Sequence, residues 1–379
     1  MSNTVTYLLG AGASADAIQP VVGMKQQIQD LAKRLSGYAP PEISDAAFST
    51  FPIKLQSDIE SVKQMLADFA WLLQEGETHI TFDTLAKRFY LQGDIVSLNR
   101  LKRTLIIYFT IIQINNLTHP SINNTLIDKR YDSFIATIAE KHKNGLKLKG
   151  NIKILTWNYD LQFELSLKKY VNQKIHEIKE IFQIFPNHNS FDLSTGDLIN
   201  HSQFGMVKLN GNAFFDNPSI TGDKLKTTLF DEFFENKKNS DFLGELSYQY
   251  RWLYANDEKL LNEATRYFNF AWESNSDFDE KYAGHENNLN EAIKIAGNTQ
   301  VLVIIGYSFP VFNREIDKRL FENMENLNKV YIQDKYPDKI KSTMENAFEI
   351  FQELSSIGRE EITFQLEDNL NQFVIPFEM

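Results

Sequence analysis

The sequence predicts an α/β protein: a Rossmann-like parallel sheet carrying a large helical insertion. Three observations predict it. Short apolar runs, Val5–Leu9, Ile152–Thr156 and Val301–Ile305, alternate with helical patterns. Strands buried on both faces by flanking helices read this way. The first run leads directly into Gly10-Ala11-Gly12-Ala13-Ser14. Polar residues also stand at the C-terminal ends of four expected strands, the edge where open parallel sheets bind ligands.

Val5–Leu9 is the first strand, and the glycines after it permit a tight turn and a close backbone approach. Ser14 and Asp16 suit the start of a helix. Strand, glycine loop and helix N-terminus together predict an anion site, with N–H groups and the positive dipole end aimed at a phosphate. Gly10, Gly12 and Ala15 fit the G-x-G-x-x-A dinucleotide pattern. A dehydrogenase would add a second strand ending in an acidic residue about twenty residues on. Residues 24–36 read instead as an amphipathic helix, with Asp30 inside it. That argues against a plain nicotinamide dehydrogenase.

Helical spacing continues after that point. Met24, Ile28, Leu31 and Leu35 share a face, and Pro40-Pro41 ends the run. Ile59, Val62, Met65, Leu66, Phe69 and Leu73 form a second face; Leu101, Leu105, Tyr108, Phe109 and Ile112 a third; Tyr131, Phe134, Ile135 and Ile138 a fourth. No clear strand precedes Asn151. Residues 1–23 therefore begin the core and 24–148 read as a helical insertion. The core continues over 149–220, with strands Ile152–Thr156 and 204–209. Residues 221–287 read as a helical cap or excursion. Residues 288–379 complete the core with strand Val301–Ile305, a helix from Asn313, strand 330–333 and a helix over 338–351.

Composition narrows the function classes. The chain has 379 residues, 42% hydrophobic and 13% aromatic, which fits a globular protein with a large core. Net charge is −11, which disfavours a broad nucleic-acid surface. There is no cysteine, so thiolate zinc sites, disulfides and cysteine nucleophiles are excluded. No signal-type segment opens the chain, and a cytoplasmic protein is expected. The apolar stretch 104–114 is about half of what a membrane span needs and reads as a buried helix.

The four strand ends are Gly10–Ser14, Asn158–Asp160, Asn210-Gly211 and Gly306–Ser308. Each also fits an ordinary role. Asn158 or Asp160 can cap a helix, Asn210-Gly211 is a favoured hairpin dipeptide, and Gly306–Ser308 can be a simple turn. Four such ends on one edge make a site the stronger reading.

The residues 8–15 (LLGAGASA), 156–160 (TWNYD) followed by Glu164, 208–211 (KLNG) and 305–309 (IGYSF) resemble the four motifs of the SIR2-like family. More narrowly, they are similar to bacterial SIR2-like NAD hydrolases of anti-phage defence systems. The motifs come in the family's order and span nearly the whole chain. The resemblance implies a SIR2-type core and an NAD site without metal. Gly10, Ala11, Gly12, Ala13 and Ser14 would cradle the diphosphate. Gly306, Tyr307 and Ser308 would face the phosphate and adenosine-ribose side, and Thr156 would belong to the binding set. Asp334, after strand 330–333, would accept from the adenosine-ribose hydroxyls; a helix cap explains it equally well. Asn158 would orient the attacking water, and Asp160 would hold that loop or meet the nicotinamide end.

One position departs from the family. Asn210 occupies the slot where the family carries histidine. An asparagine amide cannot accept a proton at neutral pH, as histidine can. Three readings follow: an engineered inactive variant, a lineage using another base (Asp160, His188 or His201), or a module that binds NAD or ADP-ribose without cleaving it. The resemblance also implies a homo-oligomer and a separate activating protein, a sensor or ATPase, because an ungated NAD hydrolase would kill its own cell. No Walker-type phosphate loop occurs in the chain. No membrane contact is expected, and nucleic acid only indirectly. Among rivals, a protein deacylase would lack its usual cysteine zinc ribbon, and a nuclease would lack a visible acidic–histidine metal cluster.

Overall fold

A computed structural model describes residues 3–36, 58–114, 127–143, 145–187, 199–213, 246–247, 250, 268–275, 283–348, 351 and 362–379. The chain divides into two compact units: Met1–Asp16, Ile127–Asn212 and Asn269–Met379 form one, Ala17–Leu126 and Ala213–Phe268 the other.

The first unit is an α/β, Rossmann-like layer structure. Its strands are β1 (Val5–Leu9), a hairpin of β2 (Ala139–His142) and β3 (Gly145–Leu148), then β4 (Ile152–Thr156), β5 (Ile184–Phe185), β6 (Gly205–Lys208), β7 (Val301–Ile305), β8 (Lys329–Gln333) and β9 (Thr363–Glu367). Apart from the hairpin these make one seven-stranded sheet in the order β5-β6-β4-β1-β7-β8-β9. Every neighbouring pair in it is parallel. The register brings the strand ends level: Leu9 pairs with both Thr156 and Ile305, Thr156 with Lys208, and Ile305 with Gln333. The chain runs from β1 to β4 and β6 on one side, then returns to β7 on the other. A ligand crevice in such sheets opens where the order reverses, here beside β1.

The apolar runs dictate this burial. β1, β4 and β7 are buried along their whole length. Alternate residues face opposite ways. Leu8, Leu155, Val207, Leu302, Ile304 and Ile332 join one core cluster with Ala292, Leu320 and Phe321. These last come from α8 (Ala283–Gly297) and α9 (Arg314–Glu322). On the other face, Tyr7 meets Phe134 edge-on at 4.8 Å, and Phe373 lies 5.0 Å from Tyr131. Phe134 and Tyr131 belong to α5 (Lys129–Ile138). Each such fully buried side chain contributes roughly 1.5–3 kcal/mol relative to exposure.

The second unit holds α1 (Val21–Leu35), α2 (Asp58–Gly76), α3 (Phe82–Leu91) and α4 (Ile95–Ile114). Its Asp68 is fully buried, and Arg100 at 2.8 Å, Tyr250 at 2.6 Å and Gln64 at 3.0 Å supply the donors that compensate it. The expected apolar stretch lies inside α4, where residues 101–113 are all buried. Among the described residues no helix is long and apolar enough to cross a membrane.

Several elements differ from the sequence expectation. The hairpin β2–β3 and α5 fall within 24–148, yet both belong to the sheet unit. α5 contacts α6 (Gln162–Lys168) there. β5, β9 and α7 (Ile175–Ile181) carried no clear strand or helix pattern. β5 has two residues, too few for alternation, and β9 is half exposed at an edge. The helix expected from 338 to 351 is α10 (Pro337–Ala347). Most of the expected excursion over 221–287 lies outside the described residues.

Candidate functional site

The loop after β1 forms a 3-10 turn over Ala11–Ser14, and the next helix, α1, begins only at Val21. This corrects the expected helix start at Ser14 and Asp16. The N–H groups are also largely engaged. Gly10 donates to Ile305 O at 3.0 Å, Gly12 to Gly306 O at 3.0 Å, Ala13 to Gly10 O at 2.9 Å and Ala15 to Gly12 O at 3.4 Å. Asp16 donates to Asp128 Oδ2 at 3.2 Å. The expected row of free donors is therefore absent at these five positions. The glycines serve a different close approach: a Cβ on Gly12 would lie 2.6 Å from Gly306 Cα, and one on Gly10 2.6 Å from Gly306 O. The ends of β1 and β7 pack backbone to backbone. Gly306 itself has φ 58°, which glycine adopts without strain.

The end of β4 reaches this loop through Asn158. Its Nδ2 donates to Gly10 O at 2.9 Å and to Ser14 Oγ at 3.3 Å, and its backbone N–H donates to Thr156 Oγ1 at 3.1 Å. No helix begins at Asn158, since α6 starts at Gln162. Asp160 Oδ1 accepts from Gln162 N–H at 3.0 Å, a turn one residue ahead of the helix N-cap, Leu161. Its carboxyl is buried; burial raises its pKa, and the Lys208 ammonium opposes that rise. Ser14 Oγ also shares a hydrogen bond with Tyr131 OH at 3.2 Å. Ser14 thus ties β1, β4 and α5 together.

β6 delivers Lys208 and Asn210. Lys208 is fully buried; its Nζ lies 2.7 Å from Glu164 Oε1, also fully buried, and donates to Asp160 O at 2.5 Å. Asn210 is 6% exposed, and its Oδ1 has no hydrogen-bond partner among the described residues. The Asn212 Oδ1 is buried and unpartnered as well, while its Nδ2 donates to Pro186 O at 3.4 Å. Among the described residues β6 has parallel partners on both sides, β4 and β5, and no antiparallel hairpin strand.

At the end of β7, Tyr307 turns inward. Its OH donates to Asp317 Oδ2 at 2.7 Å, its ring stacks on Trp157 at 6.1 Å, and Trp157 Nε1 donates to Asp317 Oδ1 at 3.2 Å. Burial pushes the Asp317 carboxyl up to about 8. Ser308 is exposed. Asp334 Oδ1 accepts from Tyr336 N–H at 2.9 Å, the local turn that leads into α10. Of the alternative bases, His201 precedes β6 and so sits at the opposite end of that strand from Asn210, with its Nε2 3.9 Å from Glu291 Oε2. His188 lies outside the described residues.

The sheet thus brings the ends of β1, β4, β6 and β7 to one edge, with Asn158 bonded to the first loop and Asn210 carrying a buried acceptor in need of a donor. Such an arrangement can hold a polar ligand by shape and by those acceptors. Four contributors escaped the sequence reading: Asp128, Arg130, Tyr131 and Asp317. Only Asp128 had a local signal, as the N-cap of α5, where its side chain accepts from Arg130 N–H. No protein-family model matches the chain, and no curated protein matches it.

Proposed function

We propose that the chain is a SIR2-like NAD⁺ hydrolase that releases nicotinamide and ADP-ribose. One observation carries the reading. Asn158, at the end of β4, hydrogen-bonds Gly10 O and Ser14 Oγ on the adjacent glycine loop, at the edge where the strand order reverses. The diphosphate would lie along Gly10–Ser14 and the turn at Gly306 and Ser308. The nicotinamide ribose would lie near Asn158 and Asn210. The unpartnered Oδ1 atoms of Asn210 and Asn212 suit a ligand rich in hydroxyl and amide donors. Asp334 keeps one oxygen for the adenosine ribose.

The chemistry asks little of acid catalysis. Nicotinamide leaves a positively charged ring as a neutral base. The protein has to hold the dinucleotide, stabilise an oxocarbenium-like sugar and place a water. Asp160 is the remaining candidate base among the described residues, since its buried carboxyl has a raised pKa. The activity would serve a cytoplasmic defence system by depleting NAD, gated by self-assembly and a separate activating protein.

Asn210 favours a second reading, a module that binds NAD or ADP-ribose without turnover. Incubating the purified protein with NAD, with measurement of nicotinamide release and retained nucleotide, separates the two. Release supports the hydrolase; retained intact NAD supports the module; neither, with and without an activating partner, contradicts both. In the hydrolase reading Asn210→His raises release by about a hundred- to ten-thousandfold, the usual worth of a positioned base.

A further inference from the structure

Arg130 is the second residue of α5 and is buried. Beside a glycine loop, an arginine invites assignment as a phosphate ligand. Its charge is already matched. Nε donates to Asp128 Oδ1 at 2.9 Å and Nη2 to Asp128 Oδ2 at 2.5 Å, a bidentate fork. Asp16 Oδ2 stands 3.6 Å from Nε, and the Phe373 ring covers the guanidinium at 5.5 Å.

The same Nη2 reaches the loop. Its second hydrogen is shared between Gly12 O at 3.1 Å and Ala13 O at 3.3 Å, two consecutive carbonyls. Asn158 Nδ2 takes a third, Gly10 O, at 2.9 Å. The peptide unit is planar, so fixing the Gly10 and Ala13 carbonyls fixes the Ala11 and Ser14 N–H groups that follow them, while the Ala13 N–H after Gly12 O is held by Gly10 O. Carbonyl oxygens repel an anion and N–H groups attract it. A loop free to rotate its peptide planes would present both.

We infer that Arg130, oriented by Asp128, is a positioning residue that pins the Gly12 and Ala13 carbonyls and presets the glycine loop for a diphosphate-bearing ligand. The inference rests on the nucleotide reading above. It assigns the arginine a role through the backbone, with no contact to the ligand. Asp128 makes the role specific to arginine. A lysine ammonium also has three N–H groups, but as a compact point charge it lacks the planar fork that holds both carboxylate oxygens while facing the two carbonyls.

The test uses Arg130→Met and Arg130→Lys in the full chain, with folding checked by melting. Amide exchange over residues 10–16 is measured without ligand, ADP-ribose affinity by calorimetry, and nicotinamide release by KM and kcat. Charge-assisted hydrogen bonds of this kind predict exchange faster by roughly tenfold or more in Arg130→Met, and ADP-ribose binding weaker by a similar factor. KM should rise with kcat kept within about twofold, and lysine should restore part of the loss. Exchange and affinity equal to the parent in folded Arg130→Met overturn the inference. Should that variant not fold, Arg130→Lys is read in its place, and parent-like exchange in it overturns the inference equally. Faster exchange in a protein whose parent form binds no ADP-ribose or NAD defeats the nucleotide reading and leaves the arginine's hold on the loop standing.

Discussion

The loop after β1 and the turn after β6 end at the same edge of the sheet and are built in opposite ways. In the first, N–H groups and carbonyls are paired with protein: Gly12 N–H with Gly306 O, Gly12 O and Ala13 O with Arg130, Gly10 O with Asn158. In the second, two buried side-chain oxygens, those of Asn210 and Asn212, have no partner among the described residues. A buried acceptor left unpaired costs about 1–3 kcal/mol, so the second region carries a penalty that a ligand's donors would relieve. The contrast separates two tasks. The largely paired loop supplies a rigid shape, and the turn with its unpaired acceptors supplies the demand for a partner.

The largest effect should come from the support beneath the turn. Lys208→Met leaves Glu164 buried without its cation and should cost about 3–5 kcal/mol in urea unfolding. Lys208→Met with Glu164→Leu should recover most of that loss. A single variant as stable as the parent would mean that the pair carries no net weight at this site.

Next is the loop. Gly12→Val places a Cβ where Gly306 Cα lies 2.6 Å away. Overpacking of this kind costs about 1–3 kcal/mol, so both the melting temperature and ADP-ribose affinity should fall. Loss of affinity with an unchanged melting temperature would instead put the glycine against the ligand, contrary to the loop-on-loop contact.

A third effect, read as a pH dependence, concerns Asp317, which bonds both Trp157 and Tyr307. Its carboxyl is pushed up to about 8 by burial. The unfolded chain releases this proton near pH 4, the folded one only near pH 8. Between those values the folded state binds more protons, so this group's contribution to stability declines as pH rises through that window and levels off above it. Asp317→Asn keeps a neutral side chain and should flatten that decline. Melting curves from pH 4 to 8 check it; parallel curves for parent and variant would contradict the assignment.

Much of the sheet was legible because its strands announce themselves. Val301–Ile305 is apolar throughout and Ile152–Thr156 at three of its five positions, and both matched the strands found. The edge elements were not legible. Two-residue β5 has no periodicity, and β9 alternates weakly because one side is exposed. At the site, the polar strand ends could be read, yet their wiring could not. Nothing in the glycine pattern distinguishes a cradle for a ligand from a contact with Gly306. Arg130 and Asp317 act across more than a hundred residues of chain, as in Arg130 to Gly12 and Trp157 to Asp317. Such partners are created by the fold and leave no local spacing to read.

The most direct measurement of the central claim is amide exchange with and without saturating NAD. The account predicts added protection in four segments: 10–14, 156–160, 209–212 and 306–308. The segment at 209–212 should respond most, because its buried acceptors gain partners only when the ligand arrives. Protection confined to other parts of the chain, or none at all at ligand concentrations that saturate calorimetric binding, would contradict a nucleotide site at this edge of the sheet.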